Sequence, residues 1–400
     1  MFTTYRRVLA LPGALVFSAS GLVARLPISM VSLGIVLLVS TRTGSYSSAG
    51  IVAAAYLIAN ALFAVPQARL IDKLGQSRVL PVAAAVSATG LVAMMAVVES
   101  DSSAPWPHLW AAVAGATMPQ IGSAVRARWS SLVPNKRDLL TAFAFESVVD
   151  EMVFMLGPVL VTVLATTVHP LAGLSTAVVA TVAGTAVLVS QKRTEPPPTG
   201  ATRRDARGAP MPWGVLVPLV ICAFAMGALL GGAEVATVAL SEEFGAKALS
   251  GLMLAIWAVG SLLAGVITGA MHLTASNATR FRWGMLALGS LMLPLPFVNG
   301  FVTLALFLFL SGLAIAPTLI ASFAWIEEIV PPGRITEGIT LFITGLGAGL
   351  APGAALVGYV VDAAGASSSY WLTAGAGLLG AAVAFVAASI ARRTATPPGS

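Results

Sequence analysis

AGIVAAAYLIANALFAVPQARLIDKLGQSRVLPVAAAVSATGLVAMMAVV (residues 49–98) holds two apolar runs, 49–67 and 79–98, joined by a short polar segment that carries Arg69, Asp72, Lys73 and Arg78. Each run is about the 20 residues that a helix needs to cross the hydrocarbon of a bilayer. The stretch therefore reads as a membrane hairpin, and the rest of the chain repeats it. Further apolar runs, bounded by charges, Pro and Gly, fall at 9–39, 107–129, 140–167, 170–190, 213–240, 248–271, 282–299, 301–325, 336–361 and 369–391. Between the ninth and tenth runs, Pro294, Pro296, Asn299 and Gly300 must supply a tight hairpin. Twelve spans use nearly all of the 400 residues and leave no room for a sizeable soluble domain.

Composition agrees. Hydrophobic residues make up 57% of the chain and charged residues only 10%, against about 25% charged in a soluble domain. The solvent for most of this sequence is lipid. The net charge of +6 sits in short loops, where it sets topology and meets anionic lipid head groups rather than nucleic acid. With the N-terminus inside, 19 of the 22 basic residues face the cytoplasm, Arg42 and Lys247 fall outside, and Arg25 lies within the membrane. That bias predicts a multi-pass protein of the cell membrane with both termini cytoplasmic. The lone cysteine, Cys222, excludes an intramolecular disulfide. Met1–Arg7 leads into a run too long for a cleaved signal peptide, so a retained first helix is expected.

The longest polar stretch, QKRTEPPPTGATRRDARGAPMP (191–212), is Pro-rich and basic and reads as a flexible cytoplasmic linker. It divides the chain into an N-terminal six-helix bundle (1–190) and a C-terminal one (213–393), with a disordered tail at 394–400. The halves resemble each other. AGIVAAAYLIANALFAVPQA (49–68) aligns without gaps to SGLMLAIWAVGSLLAGVITG (250–269), setting Tyr56 against Trp257. SLVP (131–134) echoes EIVP (328–331), each ahead of a helix with a Gly/Pro pair, Gly157-Pro158 and Pro352-Gly353. The fold expected is an all-α membrane protein of two pseudo-symmetric six-helix bundles.

The segment ARLIDKLGQSRVL (68–80) resembles the signature loop of the major facilitator superfamily, GxLaDrxGrkxxl. Asp72, Lys73, Gly75 and Arg78 match, Ala68 replaces the first Gly, and Gln76 replaces a usual basic residue. Gly157-Pro158 in the fifth helix is similar to the glycine-proline motif of the drug:proton antiporter branch. This chain lacks that motif's other glycines, and it has the uncharged ATMPQIG (116–122) where the branch carries an Arg in helix 4. The resemblance implies alternating access between two bundles. On physical grounds Asp72 is placed to pair with Lys73, Arg78 or Arg126, or to face a neighbouring helix N-terminus, as a cytoplasmic gate.

Charges inside the membrane are costly and mark functional candidates. Arg25 lies near mid-membrane in helix 1, followed by Pro27. FESVVDE (145–151) carries Glu146 and Asp150 on one face of helix 5 and Glu151 about 100° away. Glu234 sits in the middle of helix 7. The expectation is an ion pair of Arg25 with Asp150 or Glu151, with the remaining carboxylates free to bind a proton or cation, since one Arg cannot neutralise four carboxylates. Glu337 and Arg126, near the cytoplasmic boundary, read as structural. Tyr56, Asn60, Gln120 and Trp257 are candidate cavity-lining residues, and Phe323 and Trp325 are further aromatics that a substrate could stack on. GAGLLG (375–380) fits a dinucleotide pattern, but no strand precedes it, and its spacing suits close helix packing. No phosphate-binding loop, metal site or nucleophile–base pair is visible, so neither enzyme activity nor a cofactor is expected. The sequence predicts a monomeric secondary transporter with protons, membrane lipids and a small cationic or amphipathic solute as its partners. Export of a drug or metabolite leads. Uptake of a metabolite, or an uncoupled receptor or lipid-handling role, are the alternatives.

Overall fold

Backbone groups in hydrocarbon find partners only within helices or closed barrels, and this chain uses helices. The computed structural model describes residues 2–43, 46–100, 105–198, 210–246, 249–271 and 273–395. Among these residues there is no strand. The first half comprises α1 (Phe2–Leu9), α2 (Ala14–Thr43), α3 (Tyr46–Leu74), α4 (Gln76–Glu99), α5 (Trp106–Ala116), α6 (Ile121–Leu132), α7 (Lys136–Val163) and α8 (Ala172–Ser190). The second comprises α9 (Trp213–Glu243), α10 (Ser250–Ala270), α11 (Asn277–Ser290), α12 (Phe301–Ile329), α13 (Ile335–Ala364) and α14 (Ala366–Ala395). Ten of these helices are long and apolar enough to cross a membrane. Two further spans are interrupted. One is α5 with α6, and the other is α11 with the turns that follow it through Phe297. The predicted hairpin lies there, with Pro294 opening a short 3-10 turn (Leu295–Phe297) and Gly300 capping α12.

The fourth span corrects the sequence reading, which drew 107–129 as one run. Pro119 has no N–H to offer the Gly115 carbonyl and disfavours helical backbone at Met118, so the helix stops. The exposed groups are taken over locally. Gly115 O accepts from Met118 N and from Asn60 Nδ2, both at 3.2 Å, and Gln120 N donates to Gln67 Oε1 at 2.9 Å. Side chains of α3 thus satisfy the break, which lets irregular backbone persist inside a membrane protein.

The internal repeat is visible in the packing. A Cβ added to Gly115 would lie 2.0 Å from the Tyr56 carbonyl oxygen, and one added to Gly312 would lie 2.2 Å from the Trp257 carbonyl oxygen. The same small-residue contact joins α3 to α5 and α10 to α12, so close backbone approach is the common driving term. Gly157 meets Ser29 of α2, and its counterpart Gly353 meets Ala228 of α9. Gly377 packs on Gly289, and Gly380 on Met285 and Ala225. GAGLLG is therefore a helix-packing stripe.

Candidate functional site

Two groups of polar residues stand out against this apolar frame. The first lies where α2, α6 and α7 meet. Arg25 Nε donates to Gly21 O at 3.0 Å, Nη1 to Asp150 Oδ1 at 2.6 Å, and Nη2 to Glu146 Oε2. Arg126 Nη2 reaches the other oxygen of Asp150 at 2.5 Å. Glu146 also accepts from Ser18 Oγ and, at 2.8 Å, from Trp129 Nε1. Two guanidinium groups face two carboxylates, so the cluster is neutral.

Spacing explains the geometry. Glu146 and Asp150 are one turn apart on the face of α7 that continues to Gly157, where the helix touches α2. Burial then separates the two acids. Glu146 is 0% exposed, whereas 31% of the Asp150 side chain is accessible. Removing one member of the sealed Arg25–Glu146 pair leaves a buried unpaired charge and costs about 3–5 kcal/mol. Asp150 is instead the member with accessible side-chain surface.

These positions revise the sequence expectation. Arg25 pairs with Asp150, as one alternative held, but its second partner is Glu146, so Glu146 is not a free carboxylate. Arg126, read from sequence as a boundary residue and a gate partner of Asp72, is 1% exposed and bonded to Asp150. Charge counting was the signal available: two acids on one face of α7 call for a second cation. Among the described residues, Glu151 and Glu234 have no ion pair. Glu151 follows Val148, which approaches Gly265 of α10, by three residues. It therefore continues the face of α7 that meets the second half. Glu234 is exposed and follows Gly227 and Gly231, which pack against α13, by seven and three residues.

The second group closes the end of the molecule that carries the basic loops. Glu337, at the start of α13, accepts from Arg69 Nε at 2.7 Å and from both Arg334 Nε and Nη2, while its own N–H donates to Asp72 Oδ2 at 3.0 Å. Asp72 therefore faces a helix N-terminus across the two halves, the last of the arrangements considered for it. Glu337 is 2% exposed and belongs to this closure rather than to a solvated boundary. Thr340 Oγ1 meets Ser123 Oγ at 2.8 Å, Thr141 Oγ1 donates to Gly269 O at 2.6 Å, and Lys136 reaches Glu328 at 3.2 Å. Lys73 and Arg78 are exposed. Gly75 turns α3 into α4 at φ 95, a conformation that favours Gly. A Cβ there would also crowd Glu195 Oε1, which accepts the Ser77 N–H. Gln76, in place of the usual basic residue, is buried and accepts from Arg128 Nε at 2.7 Å.

Of the candidate cavity residues, Tyr56 and Trp257 are buried, with their backbones against Gly115 and Gly312. Asn60 and Gln120 are held at the break between α5 and α6. Gly157 is a contact point and Pro158 lies inside α7. Among the described residues no group of three or more His, Cys, Asp or Glu could hold a metal. Lys247, His272, Arg203, Arg204 and Arg207 lie outside the described residues, as do the side chains of Arg392 and Arg393. So do 199–209 of the linker and 396–400 of the expected tail, whose first two residues belong to α14.

No curated protein sequence matches this chain. Among solved structures it is similar to a bacterial homologue of the iron transporter ferroportin in an outward-facing state (14% identity, 94% of this chain and 99% of that one, TM-score 0.71). It is similar to the human organic anion transporter MFSD10 (16% identity, 95% and 99%, TM-score 0.71). It is also similar to the transporter FucP in the outward conformation (14% identity, 96% and 99%, TM-score 0.71). Likeness at such identity concerns the fold. The family model of the Major Facilitator Superfamily matches residues 17–301 and 219–400, which together run from the start of the first span to the end of the chain. This chain, with its interrupted fourth span and its neutral Arg–carboxylate cluster, belongs to the Major Facilitator Superfamily, a family of membrane transporters rather than enzymes.

Proposed function

We propose that this protein is a proton-coupled carrier of the cell membrane that exports a small cationic or amphipathic solute by alternating access, in the manner of the superfamily's drug:proton antiporters. The observation that carries the reading is Asp150. It is part-exposed, and it bridges Arg25 at 2.6 Å and Arg126 at 2.5 Å. A carboxylate held by two cations and still reachable by water is a place where a proton competes with fixed charge. A cationic solute competes for the same carboxylates, with Glu151 and Glu234 adding negative charge that no ion pair among the described residues offsets. The positive-inside bias assigns the basic end to the cytoplasm. Closure there by Asp72, Arg69 and Glu337 then corresponds to an outward-facing state, the state named for two of the similar structures.

The test is flux in proteoliposomes under an imposed pH gradient, with tetraphenylphosphonium as the probe. Wild type should move the cation against the inward proton gradient, with pyranine reporting protons in the opposite direction. Asp150→Asn should abolish coupling, and Glu151→Gln and Glu234→Gln should weaken it. Cation and proton moving in one direction would make the protein an uptake symporter. Unchanged coupling in all three variants would remove the proton site from these carboxylates.

A further inference from the structure

Arg126 differs from Arg25 in what it touches. All three partners of Arg25, Gly21, Glu146 and Asp150, are in the first half of the chain. Arg126 has one anchor in each half: Nη2 on Asp150 at 2.5 Å, and the guanidinium carbon 4.1 Å from the centre of the Phe323 ring in α12. Its other bonds are weak. Nη1 reaches Gly122 O at 3.3 Å, and Nε has no hydrogen-bond partner among the described residues. A desolvated guanidinium over an aromatic face is attracted by the ring quadrupole, but it still depends on a nearby anion for its charge.

Phe323 is fixed independently of Arg126. It is 4% exposed and packs edge-on against Phe342 of α13 at 5.7 Å, which in turn packs edge-on against Phe281 of α11 at 6.3 Å. The ring is thus part of the core of the second half. The repeat adds a reason for the contact. Counted from SLVP and EIVP, Arg126 lies five residues before Ser131 and Phe323 five before Glu328. Equivalent positions of two pseudo-symmetric halves meet each other, and a second cation there would repel the first.

From this geometry we propose that Phe323 is the positioning residue through which the second half of the carrier senses the charge of Asp150. The proposal rests on the reading of Asp150 as the proton-loading group. While Asp150 is ionised, Arg126 is neutralised and its contact with Phe323 helps to hold the basic end closed, beside the Ser123–Thr340 bond. When a proton binds an Asp150 oxygen, Arg126 becomes an uncompensated buried cation. It must then turn toward water and leave the ring, and the basic end opens. Glu146 cannot serve the same role, because its partners Arg25, Ser18 and Trp129 all lie in the first half. The charged groups facing Asp150 are Arg25 from α2, Arg126 from α6, and Glu146 and Glu151 from α7 itself. The acids of α12, Glu327 and Glu328, lie at the basic end, where Glu328 meets Lys136.

The test follows the closed fraction of the full chain in nanodiscs between pH 5 and 9. Spin labels are placed at two exposed positions, Ser131→Cys at the end of α6 and Thr274→Cys in the loop between α10 and α11, and Cys222 stays buried. Wild type should open as pH falls, and Asp150→Asn should be open-biased and flat with pH. Phe323→Leu should lower the closed-to-open ratio at high pH by about tenfold, the worth of a partly desolvated cation–π contact, and flatten the pH response. Phe323→Tyr should restore the wild-type profile, and Phe323→Met, whose unbranched chain adapts to the space a ring leaves, should repeat the Leu result if the Leu variant folds poorly. In an Arg126→Gln background, Phe323→Leu should add nothing further. A wild-type pH profile in Phe323→Leu and Phe323→Met, with Asp150→Asn flat, overturns the role of Phe323 and leaves Asp150 standing. A wild-type profile in Asp150→Asn overturns both.

Discussion

Asp72→Ala should release the closed end of the carrier, and the size of the effect can be worked from one contact. The N-cap of α13, Arg334, makes no side-chain cap. Asp72 of α3 does that work from the other half by accepting the Glu337 N–H at 3.0 Å. Losing an N-cap acceptor costs about 1 kcal/mol, and losing a negative charge at a helix N-terminus costs about 0.3–1 kcal/mol more. Removing Asp72 also relieves repulsion against the Glu337 carboxylate, so the lower end of the sum applies. That is about 1.4 kcal/mol, or roughly tenfold in the closed-to-open ratio, because the bond exists only while the halves meet. Asp72→Asn keeps an acceptor and loses the charge, and should shift the ratio by about two- to fivefold. Distances between labels at Ser131→Cys and Thr274→Cys measure both. Equal shifts for Ala and Asn would show that charge alone acts and refute the capping argument. No shift in either would remove Asp72 from the closure.

Gly115→Ala and Gly312→Ala should each lower Tm in detergent, because the new methyl would sit 2.0 and 2.2 Å from a neighbouring helix carbonyl oxygen. Overpacking against backbone costs about 1–3 kcal/mol or more. Gly50→Ala, with open space around it, is the matched control and should cost nothing measurable, so a fall in Tm there would count against the packing account. Tyr5→Phe should lower the closed-to-open ratio by about two- to tenfold, since the Tyr5 hydroxyl of α1 donates to Val266 O of α10 at 3.0 Å and such a bond is worth about 0.5–1.5 kcal/mol. Burial pushes the Tyr5 hydroxyl up to about 12. Its contribution to the closed state is therefore complete below about pH 10 and is lost only as pH rises through about 12. Tyr5→Phe should accordingly lower the closed-to-open ratio by the same factor at every pH from 5 to 9, and a factor that varies across that range would mean that Tyr5 touches the titrating group.

The spans were legible because lipid enforces a simple rule: a run of about 20 apolar residues that satisfies its own backbone. The fourth span escaped because hydropathy cannot see hydrogen bonds. Pro119 was visible, but the partners that make its break tolerable, Asn60 and Gln67, come from α3, some 50 residues away. The repeat of 49–68 in 250–269 was readable as spacing, and its cause, two glycines against two aromatic-bearing backbones, needed coordinates. Of the charged residues, Arg25, Glu146 and Asp150 were found by their cost in lipid. Arg126 was grouped with the gate rather than with Asp150 because its nearness to the chain's basic loops suggested a boundary position, while its side chain bonds to Gly122 and Asp150.

The burial of the two acids on α7 divides their roles. Glu146 is saturated by Arg25, Ser18 and Trp129 and sealed from solvent, so any change in its charge would have to be met inside the first half at the full cost of an unpaired buried ion. Such a residue holds α2, α6 and α7 together. Asp150 shares Arg25 with it, so the sealed pair fixes that guanidinium and leaves Arg126 as the cation able to move when Asp150 is loaded. The proposed coupling uses both kinds of carboxylate. One is too expensive to disturb, so that the bundle moves as a unit. The other is part-exposed and shared between two arginines, so that loading it with a proton or a cationic solute would tip the two halves past each other.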